Sequence, residues 1–574
     1  MAKFTSSPGV AISEIDNTFL TGQPVQAGAA IIGPTVKGPV ELPTLVTSYS
    51  DYQNIFGDTF ISGGQSYSYL TSIAAYNYFN YGGTSLLVAR VASGSYTPAI
   101  STTIGSYLNA TSASFTLETI SEGIIMNNSG SNALGSNGIL NSGSVSNIRW
   151  EVTNPNTGSG TFNLLVRQGN DTENSKIVLE SWNNVNLDPN SSRYISRVIG
   201  DQAYNYDPVD NQIEITGSYP NNSRYIRVKS VDLPTINYFD ANGVAINAYT
   251  SSIPLNGSGS AGGSFYNATG TVNNTVNLYD TISTNTQGLA GSDYNNMIAL
   301  LANPDAYQFN LLFTPGLLND VSGHTGQITN IITNTIARGD NMYVADLSSY
   351  GNTVSQTVTQ AQSRDNSYTA TYWPWVRIID PGTGKQVWAP ASTVIPGVYA
   401  FNDKVSAPWF APAGINRGGL STVLATEIKL SQAQKDALYA NNINPLATLP
   451  RQGVVVFGQK TLQKSASALD RVNVRRLMIE LKSYIRQIAD TVVFEQNTIA
   501  TRNSFVARVT PYLEAIQQKQ GLYAFKVVMD DTNNGPAVID RNQLVGQIYI
   551  QPTRTAEFIS LDFILLPTGA EFPG

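Results

Sequence analysis

One histidine, His324, and no cysteine occur among the 574 residues, so imidazole chemistry rests on a single ring, and disulfides and thiolate metal sites are excluded. His324 lies in DVSGHTGQ, a loop-like setting with no Ser-x-Gly elbow beside it, and reads as a surface histidine rather than a catalytic base. Gly257, Gly259 and Gly262 fit GxGxxG, but they stand in a Gly/Ser run without the strand before and helix after that dinucleotide binding needs. PGTGKQV at 381–387 looks like the end of a phosphate loop. It lacks the early glycine, and Gln386 replaces the Ser or Thr that would hold Mg²⁺, so it reads better as a hairpin turn. Arg338-Gly339-Asp340 spells an adhesion tripeptide and is explained as a turn before the MYVADL strand. Sequons at Asn109, Asn190 and Asn267 arise freely in an Asn/Ser-rich chain, and no local pattern promotes a pair of carboxylates for glycoside chemistry. These residues point to no enzyme, no metal and no cofactor.

The stretch 473–497, NVRRLMIELKSYIRQIADTVVFEQN, carries a denser pattern. Val474, Leu477, Met478, Leu481, Ile485 and Ile488 recur at helical spacing as one apolar stripe, with Arg475, Arg476, Lys482 and Arg486 mostly off it. Charged residues make up 13% of the chain and the net charge is -7, which argues against a nucleic-acid binder relying on phosphate neutralisation. Between Arg451 and Asp530, however, twelve basic residues face six acidic ones. That local excess suits either an acidic partner or an ordinary solvated basic surface.

The elements that position these residues change character along the chain. Its length predicts several domains. From Ala29 to Arg90 an α/β unit is expected: AAIIG as a buried strand, a helix over Tyr67 to Tyr81, and SLLVARV as a strand after Gly82-Gly83. From about Ala92 to Gly291, alternations such as IRWEV and FNLLVRQ between Asn, Ser and Gly clusters predict an inserted β-sandwich-like region, with 251–291 as long surface loops. Helical and strand patterns then return through NLLFTPG and NMYVADL and complete the first unit. The last region, from about Asp365, holds WPWVRIID, the basic helix, a second helix near Arg502 to Lys519 and closing strands. No stretch of about eighteen apolar residues and no apolar leader after Lys3 is found, so a soluble, unexported chain without a membrane partner is expected.

Both ends alternate with a period of two, Val10 and Ile12 at one end and Ile559, Leu561 and Phe563 at the other. Strands at unpaired sheet edges are suited to augmenting a neighbour's sheet, although pairing within the subunit satisfies the same pattern.

The order of SPGVAISEID, AAIIGPTVKGPVELPTLVTSYSDYQNIFG, YFNYGGTSLLVARV, NLLFTPG, ARGDNMYVAD, YWPWVRIIDPGTGKQVWAPASTVIPGVYA, APAGINRG, NNINPL, NVRRLMIELKSYIRQ, VVFEQN and RTAEFISLDFIL resembles the tail sheath proteins of contractile-tailed bacteriophages of the myovirus type. Gln496 stands where that family commonly has proline, Phe457 and Gln459 where it has tryptophan and a small or basic residue, and 92–291 matches only loosely. The resemblance implies a non-enzymatic structural subunit of the virion tail, assembled in the host cytoplasm. Hexameric rings would stack helically around a tail tube, meet baseplate and tail terminator proteins, and contract from an extended metastable state, with no direct nucleic-acid contact.

It further implies an α+β multidomain fold. Residues 1–22 would be a linking strand, 23–91 with 292–364 a middle α/β domain, 92–291 an outer β-rich domain, and 365–574 a C-terminal domain facing the tube. Val10, Ile12, Ile559, Leu561 and Phe563 would be exchanged into a neighbour's sheet, and Arg475, Arg476, Lys482 and Arg486 would face the tube. Three rivals stay open on sequence: the sheath of a phage-tail-like bacteriocin or secretion apparatus, a β-rich adhesin or surface-layer protein, and a hydrolase.

Overall fold

The computed structural model describes residues 25–101, 114–123, 135–140, 143–255, 265–266 and 277–558. Eight strands form its central sheet: β1 (Ala29–Gly33), β2 (Thr44–Val46), β3 (Leu86–Arg90), β4 (Leu311–Leu318), β5 (Met342–Asp346), β6 (Thr369–Trp373), β7 (Asn444–Leu449) and β8 (Gly453–Val456), in the order β8-β7-β6-β5-β4-β1-β3-β2. The inner neighbours run parallel, and only the edge pairs β7-β8 and β2-β3 are antiparallel. A parallel strand with both faces covered has no place for a solvated side chain, which is why AAIIG, LLVAR and MYVAD are nearly unbroken apolar runs. Every residue of β1, β3, β4, β5 and β6 is buried.

Alternate side chains enter two cores. Ala29, Ile31, Val88, Phe313 and Val344 face one, and Ala30, Ile32, Leu87, Leu312 and Tyr343 the other. The helices are α1 (Leu70–Asn80), α2 (Thr325–Arg338), α3 (Val354–Gln362), α4 (Ile395–Val405), α5 (Gln432–Ala440), α6 (Val472–Asp490) and α7 (Ile499–Gln518). The first face is covered by α1 and α4, the second by α2, α3 and α5. Capping boxes, Thr353 with Gln356 and Ser431 with Gln434, begin α3 and α5.

Between β3 and β4, a three-stranded antiparallel sheet (148–156, 161–168, 178–186) and a four-stranded one that includes Phe115–Glu122 and Ile226–Val231 share a separate core around Phe115, Trp150, Phe162 and Leu164. After β8, α6 and α7 pack with a hairpin of β9 (Leu522–Val528) and β10 (Gln547–Pro552) around a further core of Trp409, Leu477, Phe505, Val509 and Leu513.

Three expectations need correction. The central sheet does not stop at residue 364, because β6, β7 and β8 lie beyond it; TATYW, ahead of WPWVRIID, is a central strand rather than the start of a separate unit. Residues 277–291 are not surface loop throughout: only the stretch around 280–285 is exposed. Leu278, Ile282 and Leu289 are buried, and the Gln287 side chain accepts from Leu70 N at 2.7 Å and donates to Pro315 O at 3.2 Å, fastening the end of the insertion to α1 and β4.

His324 is fully buried rather than on the surface. It directly precedes α2, where the chain folds back on the end of β4, and its Nδ1 accepts from Leu318 N at 3.3 Å. Burial pushes the ring's pKa down to about 4, so it is a neutral packing group.

Candidate assembly surface

The C-terminal helix α6 is shared between two cores. Leu477 and Leu481 pack on α7 and the hairpin, whereas Val472 and Ile479 pack into a core of the central sheet. Two apolar faces on one helix leave little solvent-exposed arc at its N-terminal half, and this decides the fate of the basic residues.

Arg475 and Arg476 are buried and do not form a surface patch, contrary to the tube-facing role expected of them. The Arg475 guanidinium lies 4.0 Å from the centre of the Tyr368 ring and donates to Ser367 Oγ. Arg476 donates to both carboxylate oxygens of Asp403, at 2.8 and 2.5 Å, and lies 4.8 Å from the Tyr399 ring centre. The Asp403 charge beside it opposes the effect of burial and holds its pKa above the ordinary arginine value. Arg475 thus ties α6 to the segment before β6, and Arg476 ties it to α4. Lys482 and Arg486, one turn apart further along α6, are exposed; Lys482 Nζ reaches Tyr368 OH at 3.2 Å, and Arg486 pairs loosely with Asp305 at 3.3 Å.

The adhesion tripeptide is likewise internal. Arg338 ends α2 with its side chain 2% exposed, Gly339 supplies the left-handed cap at φ 68°, and Asp340 accepts from Arg338 at 2.8 Å. Residues 381–385 form the turn between Val376–Ile379 and Gln386–Ala389, held by Asp380, whose carboxylate accepts from Gly382 N and Thr383 Oγ1. No group of three or more His, Cys, Asp or Glu among the described residues could hold a metal ion, and no described helix is long and apolar enough to cross a membrane.

The C-terminal unit also presents its hairpin at the surface. Among the described residues, strands β9 and β10 pair only with each other, so each presents an outer edge of backbone groups with no described strand beside it. Phe525, Val527, Ile548 and Ile550 turn inward, while Tyr523 and Tyr549 stay exposed. Beside the hairpin runs a groove of about 1320 Å³ whose walls include Trp409, Tyr439, Phe457, Leu522, Tyr523 and Phe558.

Residues 553–558 follow that groove, and Glu557 fixes them to the opposite shoulder. Its carboxylate accepts from Tyr439 OH at 2.7 Å, Arg471 Nε at 2.8 Å and Gln459 Nε2 at 3.0 Å. Burial alone would raise its pKa; the three donors outweigh that and hold it below the ordinary glutamate value. Nothing in sequence singled out Glu557, Trp409 or Tyr523, because their partners lie far away along the chain. Val10, Ile12, Ile559, Leu561 and Phe563, like Gly257, Gly259 and Gly262, lie outside the described residues.

With this geometry in place, comparison with known proteins is specific. The family model described as the phage tail sheath protein central domain matches residues 287–462, and the one for the phage tail sheath C-terminal domain matches 464–565. A 185-residue stretch is 44% identical to the tail sheath protein of Vibrio phage KVP40 and 42% identical to that of Enterobacteria phage T4. Residues 287–565 thus carry the central and C-terminal domains of phage tail sheath proteins.

The aligned stretch covers 32% of this chain and spans only 28% of the length of either relative. Among solved structures, the crystal structure of a sheath tail protein from Listeria innocua superposes with a TM-score of 0.53 over 92% of this chain and 96% of that one; at 10% identity, this likeness is one of fold. The two sheath models meet between β8 and α6. The C-terminal sheath domain is therefore the α6, α7 and hairpin unit, and the central one is the later half of the eight-stranded sheet with its helices.

Proposed function

We propose that this chain is the structural subunit of a contractile tail sheath. Its copies form hexameric rings that stack helically around a tail tube and switch from an extended to a contracted packing. The switch consumes no nucleotide, since two packings of different stability suffice to drive it. Baseplate and tail terminator proteins bound the stack, which assembles in the host cytoplasm and stays in the virion.

The observation that carries this reading is the β9-β10 hairpin, neither of whose outer edges is paired among the described residues. A lone two-stranded ribbon is marginal in water, and its edges are templates for further strands. The chain also owns two strand-patterned arms: one containing Val10 and Ile12, the other Ile559, Leu561 and Phe563. Arms from neighbouring copies that occupy those edges complete a sheet and link the subunits by backbone hydrogen bonds. Removing residues 1–16 is expected to leave the monomer's melting temperature unchanged and to abolish long tubes in electron micrographs. Tubes of normal length, or an unfolded variant, would rule the exchange out.

For the tube contact, the exposed basic residues Lys482 and Arg486 remain. Reversing both charges, Lys482→Glu with Arg486→Glu, is expected to weaken co-sedimentation with the tube protein while leaving sheath polymers intact, and increasingly so at low salt. Equal loss of both interactions, or of neither, rejects this face of α6.

A further inference from the structure

Among the described residues, the most exposed large apolar side chain is Phe494, in the turn between α6 and α7, at 100%. Val493 at 57% and Ile499 at 61% extend the apolar surface on either side of it. Phe494 also holds φ at 71°, the left-handed region that a bulky side chain enters only under strain. The turn is not loose. Asn497 Nδ2 donates to Gln543 O at 2.8 Å, which ties it to the connection between β9 and β10, and Thr498 caps α7 by accepting from Thr501 N. A strained backbone that fixes an aromatic ring wholly in water serves no packing within the subunit, and apolar surface of this kind marks a contact with another molecule.

The opposite end of the same helix pair carries a surface that fits it. Asn473 at the start of α6, with Gln517 and Gln520 at the end of α7, lines the groove beside the hairpin, about 26 Å along α6 from Asp490. Trp409, Phe457 and Tyr523 give the groove an aromatic lining, and Phe457 is half exposed. Its charges lean positive. Arg417, Lys435 and Arg554 line it against Asp436 and Glu557, and Glu557 is already paired with Arg471. Lys435 Nζ lies 5.2 Å from the centre of the Phe457 ring and, like Arg554, has no carboxylate partner among the described residues. Glu495, next to Phe494, is exposed and has no cationic partner among them either. An apolar knob beside a free carboxylate therefore faces one way, and an aromatic groove beside free cations faces the other.

We propose that the α6–α7 turn of one copy docks into the groove of a second copy, with Phe494 as its anchor and Glu495 beside Lys435. Knob and groove lie on different parts of one chain, so the contact is head-to-tail. Such a contact leaves one knob and one groove open at the ends of every oligomer and builds rings or helices rather than closed pairs. The proposal rests on the self-assembly reading above and adds a contact that uses neither chain end.

The absence of cysteine allows a direct test on the full-length chain. Gln496→Cys in the turn and Gln432→Cys on the groove rim are treated together with a bismaleimide too short to span α6, in concentrated protein. The products are resolved on a denaturing gel, and the same samples are viewed by electron microscopy. Ladders are expected from the double variant, because each copy offers both cysteines, whereas either cysteine alone gives dimers at most. In the double-cysteine chain, Phe494→Gly is expected to cut the ladders about tenfold, as loss of an aromatic anchor does. The same change is expected to raise the monomer's melting temperature, because glycine adopts φ 71° without strain. Lys435→Glu is expected to weaken the ladders, and Glu495→Lys to restore them in that background. Ladders unchanged by Phe494→Gly, or a melting temperature lowered by it, overturn the docking. Tubes in the micrographs without ladders overturn it while leaving the sheath reading standing. The absence of both tubes and ladders overturns the sheath reading, and the docking with it.

Discussion

Replacing Asp403 by alanine is expected to destabilise the subunit by about 3 kcal/mol, and by more than replacing Arg476 by methionine does, because breaking a buried ion pair costs most when the partner left behind has no water. The Arg476 side chain is 6% exposed and that of Asp403 is 28% exposed. Removing the carboxylate strands a guanidinium between α4 and α6, against the Tyr399 ring, with its two best acceptors gone. Removing the guanidinium instead leaves a carboxylate that water can reach, and methionine still fills the space of the arginine stem. Urea unfolding of the two variants measures the difference. Had these residues been a solvated patch, both changes would fall within about 0.5 kcal/mol of the parent. A larger loss from Arg476→Met, or no loss from either, rejects the structural role.

How Arg475 and Arg476 came to look like surface residues is instructive. A helical wheel shows which side chains leave the main apolar stripe, not what else packs against the helix. The stripe from Val474 to Ile488 was legible, and its Leu477, Met478, Leu481, Ile485 and Ile488 do face α7 and the hairpin. What decides the basic residues is a second contact, through Val472 and Ile479, with the core of the central sheet. Their partners, Asp403 and Ser367, lie 73 and 108 residues away in sequence. One local sign existed: Ile479 is apolar and off the stripe, as a helix covered on two sides requires.

Elsewhere, legibility followed how much each strand had to exclude water. Ala29–Gly33, Leu86–Arg90 and Met342–Asp346 are buried on both faces and read cleanly. By contrast, 277–291 looked like loop because exposed polar residues such as Asp280, Ser283 and Asn285 separate the few that turn inward, Leu278, Ile282, Gln287 and Leu289. His324 was misread for the same reason: polar neighbours in sequence do not mean water in space. Glu557 was hidden because its significance lies in three donors drawn from three separate segments.

The same lack of water should give the subunit an unusual dependence on pH. Asp346, at the end of β5, is buried, and its carboxyl pKa is pushed up to about 7 although Ser392 donates to it through both N–H and Oγ–H, at 3.1 and 2.5 Å. The folded chain therefore holds a proton there that the unfolded chain, near the ordinary aspartate value of 3.8, has already released. The stability this supplies is fully present below the unfolded value and is lost as pH rises through about 7, with a slope of about 1.4 kcal/mol per unit inside that window. Glu122, also raised by burial to about 7, acts in the same sense; His324, lowered to about 4, acts in the opposite sense, because its unfolded form takes up a proton below the ordinary 6.5.

Asp346→Asn removes only the first of these contributions. The asparagine oxygen can still accept from Ser392 N–H, and its amide can donate to Ser392 Oγ, so the fold is retained. Subtracting the variant's urea-derived stability from that of the parent, pH by pH, is expected to give a curve that falls from pH 4 to 7 and is flat above, with the variant the more stable at pH 8. A difference that is constant with pH would mean that Ser392 and the Gly316 N–H keep Asp346 ionised throughout, so that the cost of burying this charge is met by its donors rather than by a proton.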